Sequence, residues 1–174
     1  MEKPVPDRLV DAGLALLADE GAAGVTVRSV EGRAGVPHGS VRHHFGRLDG
    51  LRNALVDGLL ARESPRDEPV EDVVRRWLGP DAPIVRARYE LMLMASRDEG
   101  LRTKVLQGRQ VFVDQLVRLG VAPRHAEALV AMLDGLVLDA LLRNADATDL
   151  TLWQEALGSA LPASPAPPHT QAVS

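Results

Sequence analysis

The chain has 174 residues, 45% of them apolar, which is enough to bury a core and too much for a disordered protein. It lacks cysteine, which excludes a disulfide framework and thiolate chemistry, and only 3% of it is aromatic, which argues against stacking on unpaired bases. A net charge of −4 counts against a chain coated in nucleic acid, so any such contact has to come from a local basic segment.

No apolar run is long enough to span a bilayer, and MEKPVPDRLV at the N-terminus lacks the apolar stretch of a secretory signal. A cytoplasmic protein with no membrane partner is therefore expected. Periodicity is helical almost throughout, and no segment alternates as a strand would. Leu9, Ala12 and Leu16 form one row, and Val10, Leu14 and Leu17 a second, giving a first helix a wide apolar stripe that stops at Gly21 and Gly24. Thr26 suits the N-cap of a short second helix over Val27–Arg33, and Gly35 the turn after it. Pro37 fits the first turn of a third helix, Pro37–His44, which ends near Gly46. A fourth starts near Leu48 and repeats leucine at 51, 55 and 59.

ESPRDEP, residues 63–69, is polar and twice broken by proline, and it marks a linker. Short and long helical patterns follow at Val70–Leu78, Ile84–Ser96, Leu101–Leu119 and Arg124–Arg143. Ile84–Ser96 is apolar on most faces despite Arg86, Arg88 and Glu90, as a central buried helix would be. Leu152–Leu161, capped by Thr151 or Asp149, makes about nine helices, and PASPAPPHTQAVS is expected to be a disordered tail.

The basic segment lies between Thr26 and Arg47. Arg28, Arg33, Arg42 and Arg47 stand there against Glu31 alone, a local charge of +3, with His38, His43 and His44 besides. Two short helices around a glycine turn, behind a longer amphipathic one, describe a helix-turn-helix whose third helix enters the major groove of a DNA duplex. Gly39 keeps one face slim, Ser40 can donate to a phosphate or base, Arg42 can bond a phosphate or guanine twice, and His43 can donate to either. A three-helix packing unit without DNA contacts has the same spacing, and both stay open on these residues alone.

Other chemistries find less support. His43 and His44 point roughly 100° apart on a helix and have no cysteine or carboxylate at ligand spacing, so no metal is expected. His44 fits the small domain's core or its phosphate side. No nucleophile with its base and no phosphate-cradling loop is visible, and Asp134 and Asp139 fall off one helical face, so neither catalysis nor a cofactor is expected. In the second half, Leu129, Leu133, Leu136 and Ala140 form a stripe that serves equally as core or as a dimer seam. Trp77, Tyr89, Met92, Met94 and Phe112 are core or the walls of a small-molecule cavity, with Arg86, Arg88 and Arg109 as anchors for an acidic ligand or parts of a solvated face.

VDAGLALLADEGAAGVTVRSVEGRAGVPHGSVRHHFGRLDGL, residues 10–51, resembles the N-terminal domain of TetR-type transcriptional regulators. The resemblance rests on the first helix ending in EG, then VTVRSV, AGVPHGSV, HHF and a following leucine-rich helix. It implies an all-α protein with a DNA-binding domain over residues 1–47, a helical ligand-binding and dimerisation domain over 48–161, and a tail over 162–174. It also implies a homodimeric, ligand-responsive repressor on a near-palindromic operator, with recognition helices roughly 34–36 Å apart.

Residue by residue, the resemblance places Thr26 at a helix cap near a phosphate and Arg28 at a position that reaches DNA. His38, Gly39, Ser40, Arg42 and His43 fall on the recognition face, Phe45 at the aromatic that seals the small core, and the 129–140 stripe in an intersubunit four-helix bundle. Three positions depart from the pattern. Arg42 replaces a phosphate-binding tyrosine; Leu48 replaces a lysine, for which Arg47 can substitute; Glu31 occupies a normally small position, where it disturbs packing or points outward. The alternative these departures keep alive is a helical dimeric interaction protein with a weakened or lost DNA-binding domain.

Overall fold

Both apolar rows of the first helix, α1 (Val5–Glu20), turn inward, and Leu9, Ala12, Leu14, Leu16 and Leu17 are buried. The computed structural model describes residues 3–63 and 70–144. After α1 come a 3-10 turn (Ala22–Gly24), α2 (Val27–Ala34), α3 (Ser40–Phe45), α4 (Leu48–Glu63), α5 (Val70–Leu78), α6 (Ala82–Ala95), α7 (Glu99–Arg118) and α8 (Pro123–Leu142). The protein is all-α, with eight α-helices and no strand among the described residues. The helix expected at Leu152–Leu161, the tail at 162–174 and positions 64–69 of the linker lie outside them.

The third helix starts later than its sequence suggests. Gly39 takes φ +92°, a left-handed conformation that a helix cannot continue through, so α3 begins at Ser40 rather than Pro37. Pro37 belongs to the preceding turn, where its carbonyl accepts from the Ser40 hydroxyl at 2.6 Å and the Ser40 N–H at 3.3 Å.

Two apolar clusters organise the chain. The first gathers α1 to α4 around Leu9, Val30, Val41, Leu51 and Leu55, and also takes in Ala87, Leu91 and Ala95 of α6. The second joins Val74 and Trp77 of α5, Val85 of α6, Val113 and Leu116 of α7 and one face of α8. Helix α6 is thus shared, which explains why its sequence is apolar on most sides. α1 and α4 cross closely: a Cβ on Gly13 would stand 2.6 Å from Leu55 Cδ2, and one on Gly58 2.4 Å from Val10 Cγ1. Alanine at either position would require the facing Leu55 or Val10 side chain to shift.

Of the two readings left open for the α8 stripe, core or dimer seam, packing within this chain favours core. Leu129, Leu133 and Ala140 are buried in this single chain, and Leu136 packs half-buried against the second cluster. Met132, Leu138 and Leu142 lie on the exposed side of α8. Spacings of three and four locate a helical face without saying whether it meets the chain's own helices or another chain.

Candidate DNA-reading face and ligand cavity

The helix-turn-helix is built from local hydrogen bonds. Thr26 caps α2 by accepting the Ser29 N–H at 3.1 Å, and the Ser29 hydroxyl accepts the Thr26 N–H at 3.0 Å, a reciprocal box with serine in the usual glutamate place. Gly35 closes α2 in the left-handed region, and Arg8 of α1 donates to the Ala34 carbonyl at 2.7 Å and the Gly35 carbonyl at 2.9 Å.

Glu31 neither disturbs the packing nor points outward. It is 2% exposed and lies beneath the start of α3, where Oε1 accepts the Gly39 N–H at 3.0 Å and the Val41 N–H at 2.9 Å. Its Oε2 lies 3.4 Å from His38 Nδ1. The Val41 N–H chiefly, with His38 and Gly39, holds this carboxyl below the ordinary carboxylate range against the cost of burial.

Over this base, Thr26, Arg28, His38, Gly39, Arg42, His43 and Arg47 are exposed. Ser40 is half-buried, and its hydroxyl hydrogen is already given to Pro37 rather than available to a phosphate. Arg33 leaves the basic face for an ion pair with Asp19 at 2.5 Å. His44 is exposed, edge-on to His43 with ring centroids 4.7 Å apart, so it is not a core residue. Phe45 and Leu48 are half-buried against the first cluster, and Arg47 is the exposed cation beside them.

A second feature lies between α4, α5, α6, α7 and α8: a cavity of about 150 Å³. Trp77, Met92 and Phe112 line it, with the Trp77 and Phe112 rings edge to face, centroids 6.3 Å apart. Tyr89 stands outside the lining and donates its hydroxyl to the Asp134 carbonyl at 2.7 Å. Met94 packs against the first cluster, and Arg86 reaches the Ala18 carbonyl at 3.4 Å, so neither belongs to the cavity. Arg109 lines it while donating to the Glu127 carbonyl at 2.8 Å.

The polar centre of the cavity wall is Arg88, 8% exposed. Its Nη1 donates to Glu63 Oε1 at 3.1 Å, its Nη2 lies 3.5 Å from Asp134 Oδ1, and its guanidinium covers the Trp77 ring at 4.6 Å and the Tyr89 ring at 5.2 Å. Burial pushes the Glu63 carboxyl up to about 7 despite Arg88, and raises Asp134 and Tyr89. Burial opposes the charge of Arg88 as well, but Glu63 and Asp134 outweigh it and hold the guanidinium protonated. Two buried N–H groups here, Trp77 Nε1 and Arg88 Nε, have no protein acceptor among the described residues.

Residues 9–55 match the family model "Bacterial regulatory proteins, tetR family", and residues 67–163 match "Tetracyclin repressor-like, C-terminal domain". The chain belongs to the TetR family. It is 36% identical over 92 residues to the HTH-type transcriptional regulator BetI of Burkholderia mallei, a match spanning 53% of this chain and 44% of that relative's length. Among solved structures, a TetR-family member from Streptomyces coelicolor A3 superposes with a TM-score of 0.78 at 30% identity, covering 92% of this chain and 99% of that one. The multidrug binding protein EbrR complexed with ethidium superposes with a TM-score of 0.76 at 29% identity, covering 91% and 99%.

For a TetR-family chain, the cavity residues that sequence reasoning missed are Glu63 and Asp134, and Arg88, expected there as an anchor for an acidic ligand, pairs with both. Their only signal was a charge among apolar neighbours, which other charges on the same helices share. No described helix is long and apolar enough to cross a membrane.

Proposed function

We propose that this regulator is a ligand-responsive repressor that binds a near-palindromic DNA operator as a homodimer. The observation that carries the reading is the outward face of α2 and α3, where Arg28, Arg42 and Arg47 are exposed and enter no ion pair among the described residues, while Arg33 is paired away from them. Unpaired guanidinium groups on a rigid helix-turn-helix suit phosphates and guanine edges. Arg42 bonds the backbone or a base, His43 and His38 approach base edges, and Arg28 and Arg47 hold the backbone on either side.

The effector we propose is a compact, flat, largely apolar molecule bringing a hydrogen-bond acceptor. A cavity of about 150 Å³ with aromatic walls admits a ring-sized group, and the Trp77 and Arg88 N–H groups lack protein acceptors. EbrR, solved with proflavin, ethidium and malachite green, supports flat aromatic molecules as probes. Release from DNA is a population shift set by the effector's differential affinity for two arrangements of α4 and α6. Val56, Leu59 and Glu63 of α4 and Leu91 of α6 line the cavity, and both helices pack on α1. The dimer seam uses the outward side of α8, around Met132, Leu138 and Leu142, with open space above Gly135 for close approach.

The test is fluorescence anisotropy against the duplex upstream of the coding region, with a scrambled duplex, a salt series and Arg42→Glu. Binding that exceeds the scrambled duplex, weakens steeply with salt and falls more than about tenfold in the variant supports the reading. Binding that is blind to sequence and unchanged by Arg42→Glu rejects it, leaving the interaction-protein alternative. Proflavin that binds and quenches Trp77 without altering operator affinity rejects the effector part alone.

A further inference from the structure

We infer that Glu31 is the positioning residue of the recognition helix and sets what His38 reads on DNA. The inference rests on the proposed DNA-binding function. α3 is only six residues long and begins after a left-handed glycine, so its own hydrogen bonds define its direction weakly. What fixes it is a carboxylate from the neighbouring helix. One oxygen of Glu31 accepts the N–H groups of Gly39 and Val41, which brackets the first residue of α3 and pins its start to α2. The residue is 2% exposed, so water does not replace it when it is removed.

The second oxygen acts on His38. This side chain is 85% exposed, in the turn that leads into α3, and its Nδ1 lies 3.4 Å from Glu31 Oε2. A carboxylate only accepts, so Nδ1 carries the hydrogen, and in the neutral imidazole Nε2 is left as an acceptor. His38 then takes a hydrogen bond from a base amino group. Glutamine at 31 keeps an oxygen for the two backbone N–H groups but turns an NH₂ toward Nδ1. That reverses the tautomer and makes Nε2 a donor, suited to guanine N7 or O6. Glu31 thus determines geometry and specificity without touching DNA.

The experiment selects bound duplexes from a random pool with wild-type protein, Glu31→Ala and Glu31→Gln, and measures affinity by anisotropy on the wild-type motif and a scrambled duplex. Circular dichroism and proflavin binding report on folding. Glu31→Ala should lose roughly tenfold or more on the motif, with a smaller loss on scrambled DNA, which Arg28, Arg42 and Arg47 still hold. Glu31→Gln should restore affinity to within about threefold of wild type yet select a different base at one position per half-site. Folded Glu31→Ala with wild-type affinity and motif overturns the inference. If that variant does not fold, Glu31→Gln decides, and an unchanged motif overturns the role of Glu31 in what His38 reads. Failure of the wild-type protein to select any motif is a different result, since it removes the DNA-binding reading itself.

Discussion

Two glutamates in this chain are almost equally buried, and they are pushed in opposite directions. Glu31, under the recognition helix, is 2% exposed and held below the ordinary carboxylate range, while Glu63, on the cavity wall, is 4% exposed and raised to about 7. Burial opposes the charge in both. The difference is the donor set: Glu31 receives two backbone N–H groups and faces His38, whereas Glu63 bonds a guanidinium, that of Arg88, shared with Asp134, and feels Arg76 only through its charge. Backbone donors at the start of α3 cannot turn away, and they stabilise the anion at little cost in side-chain order. A shared arginine leaves each carboxylate short of positive charge. One region is therefore a rigid mount, and the other a polar centre able to change protonation as its surroundings change.

The largest effect that tests this contrast comes from Arg88→Met. It removes the cation between Glu63 and Asp134 and should cost about 3 kcal/mol in urea denaturation at pH 8. The cost should be smaller at pH 5, where Glu63 is protonated and needs no partner. Equal costs at both values would mean that Glu63 stays ionised throughout.

Next is the pH dependence of the wild-type protein. The folded Glu63 keeps its proton up to about 7 against an ordinary value of 4.5, so the folded state holds more protons in between. Stability from this group is full below pH 4.5 and is lost as pH rises through 7, on the order of 3 kcal/mol in all. Glu63→Gln should flatten that decline, leaving a residual slope from Asp134, which is raised too. A decline of the same size in the variant would place the titrating group elsewhere.

Glu31 carries the opposite sign and a smaller effect on stability. Its contribution is present above the ordinary carboxylate range and is lost as pH falls below it through the depressed folded value. Glu31→Gln should weaken that acid limb in thermal melts, chiefly by lowering the midpoint at neutral pH toward the value reached in acid. The smallest effect belongs to His38→Ala: its side chain is exposed and both backbone bonds to Glu31 survive, so the thermal midpoint should not move. A drop of several degrees would show that His38 supports the mount rather than reading from it.

Much of the fold was legible because its causes are local. Thr26 caps α2 three residues from Ser29, the Leu51, Leu55 and Leu59 row turns inward, and the shared α6 announced itself by being apolar on most faces. The exposed cationic face of α2 and α3 was legible too, since a basic run between glycine turns does not depend on distant residues. The ion pair of Arg33 and the bond of the Ser40 hydroxyl were not legible, because Asp19 lies fourteen positions away and the Pro37 carbonyl becomes an acceptor only once Gly39 turns left-handed.

By itself, then, the amino-acid order determined helix positions, the helix-turn-helix and its cationic face, through periodicity, caps and turn residues that act within a few positions. Only the tertiary structure decided which face of α8 is core, that Tyr89 stands outside the cavity, and that Arg88 binds Glu63 and Asp134 across three helices. It also decided the role of Glu31. A charge in an apolar helix carries no sign of its partner, because the energy of a buried carboxylate depends on which donors the packing brings within hydrogen-bond distance.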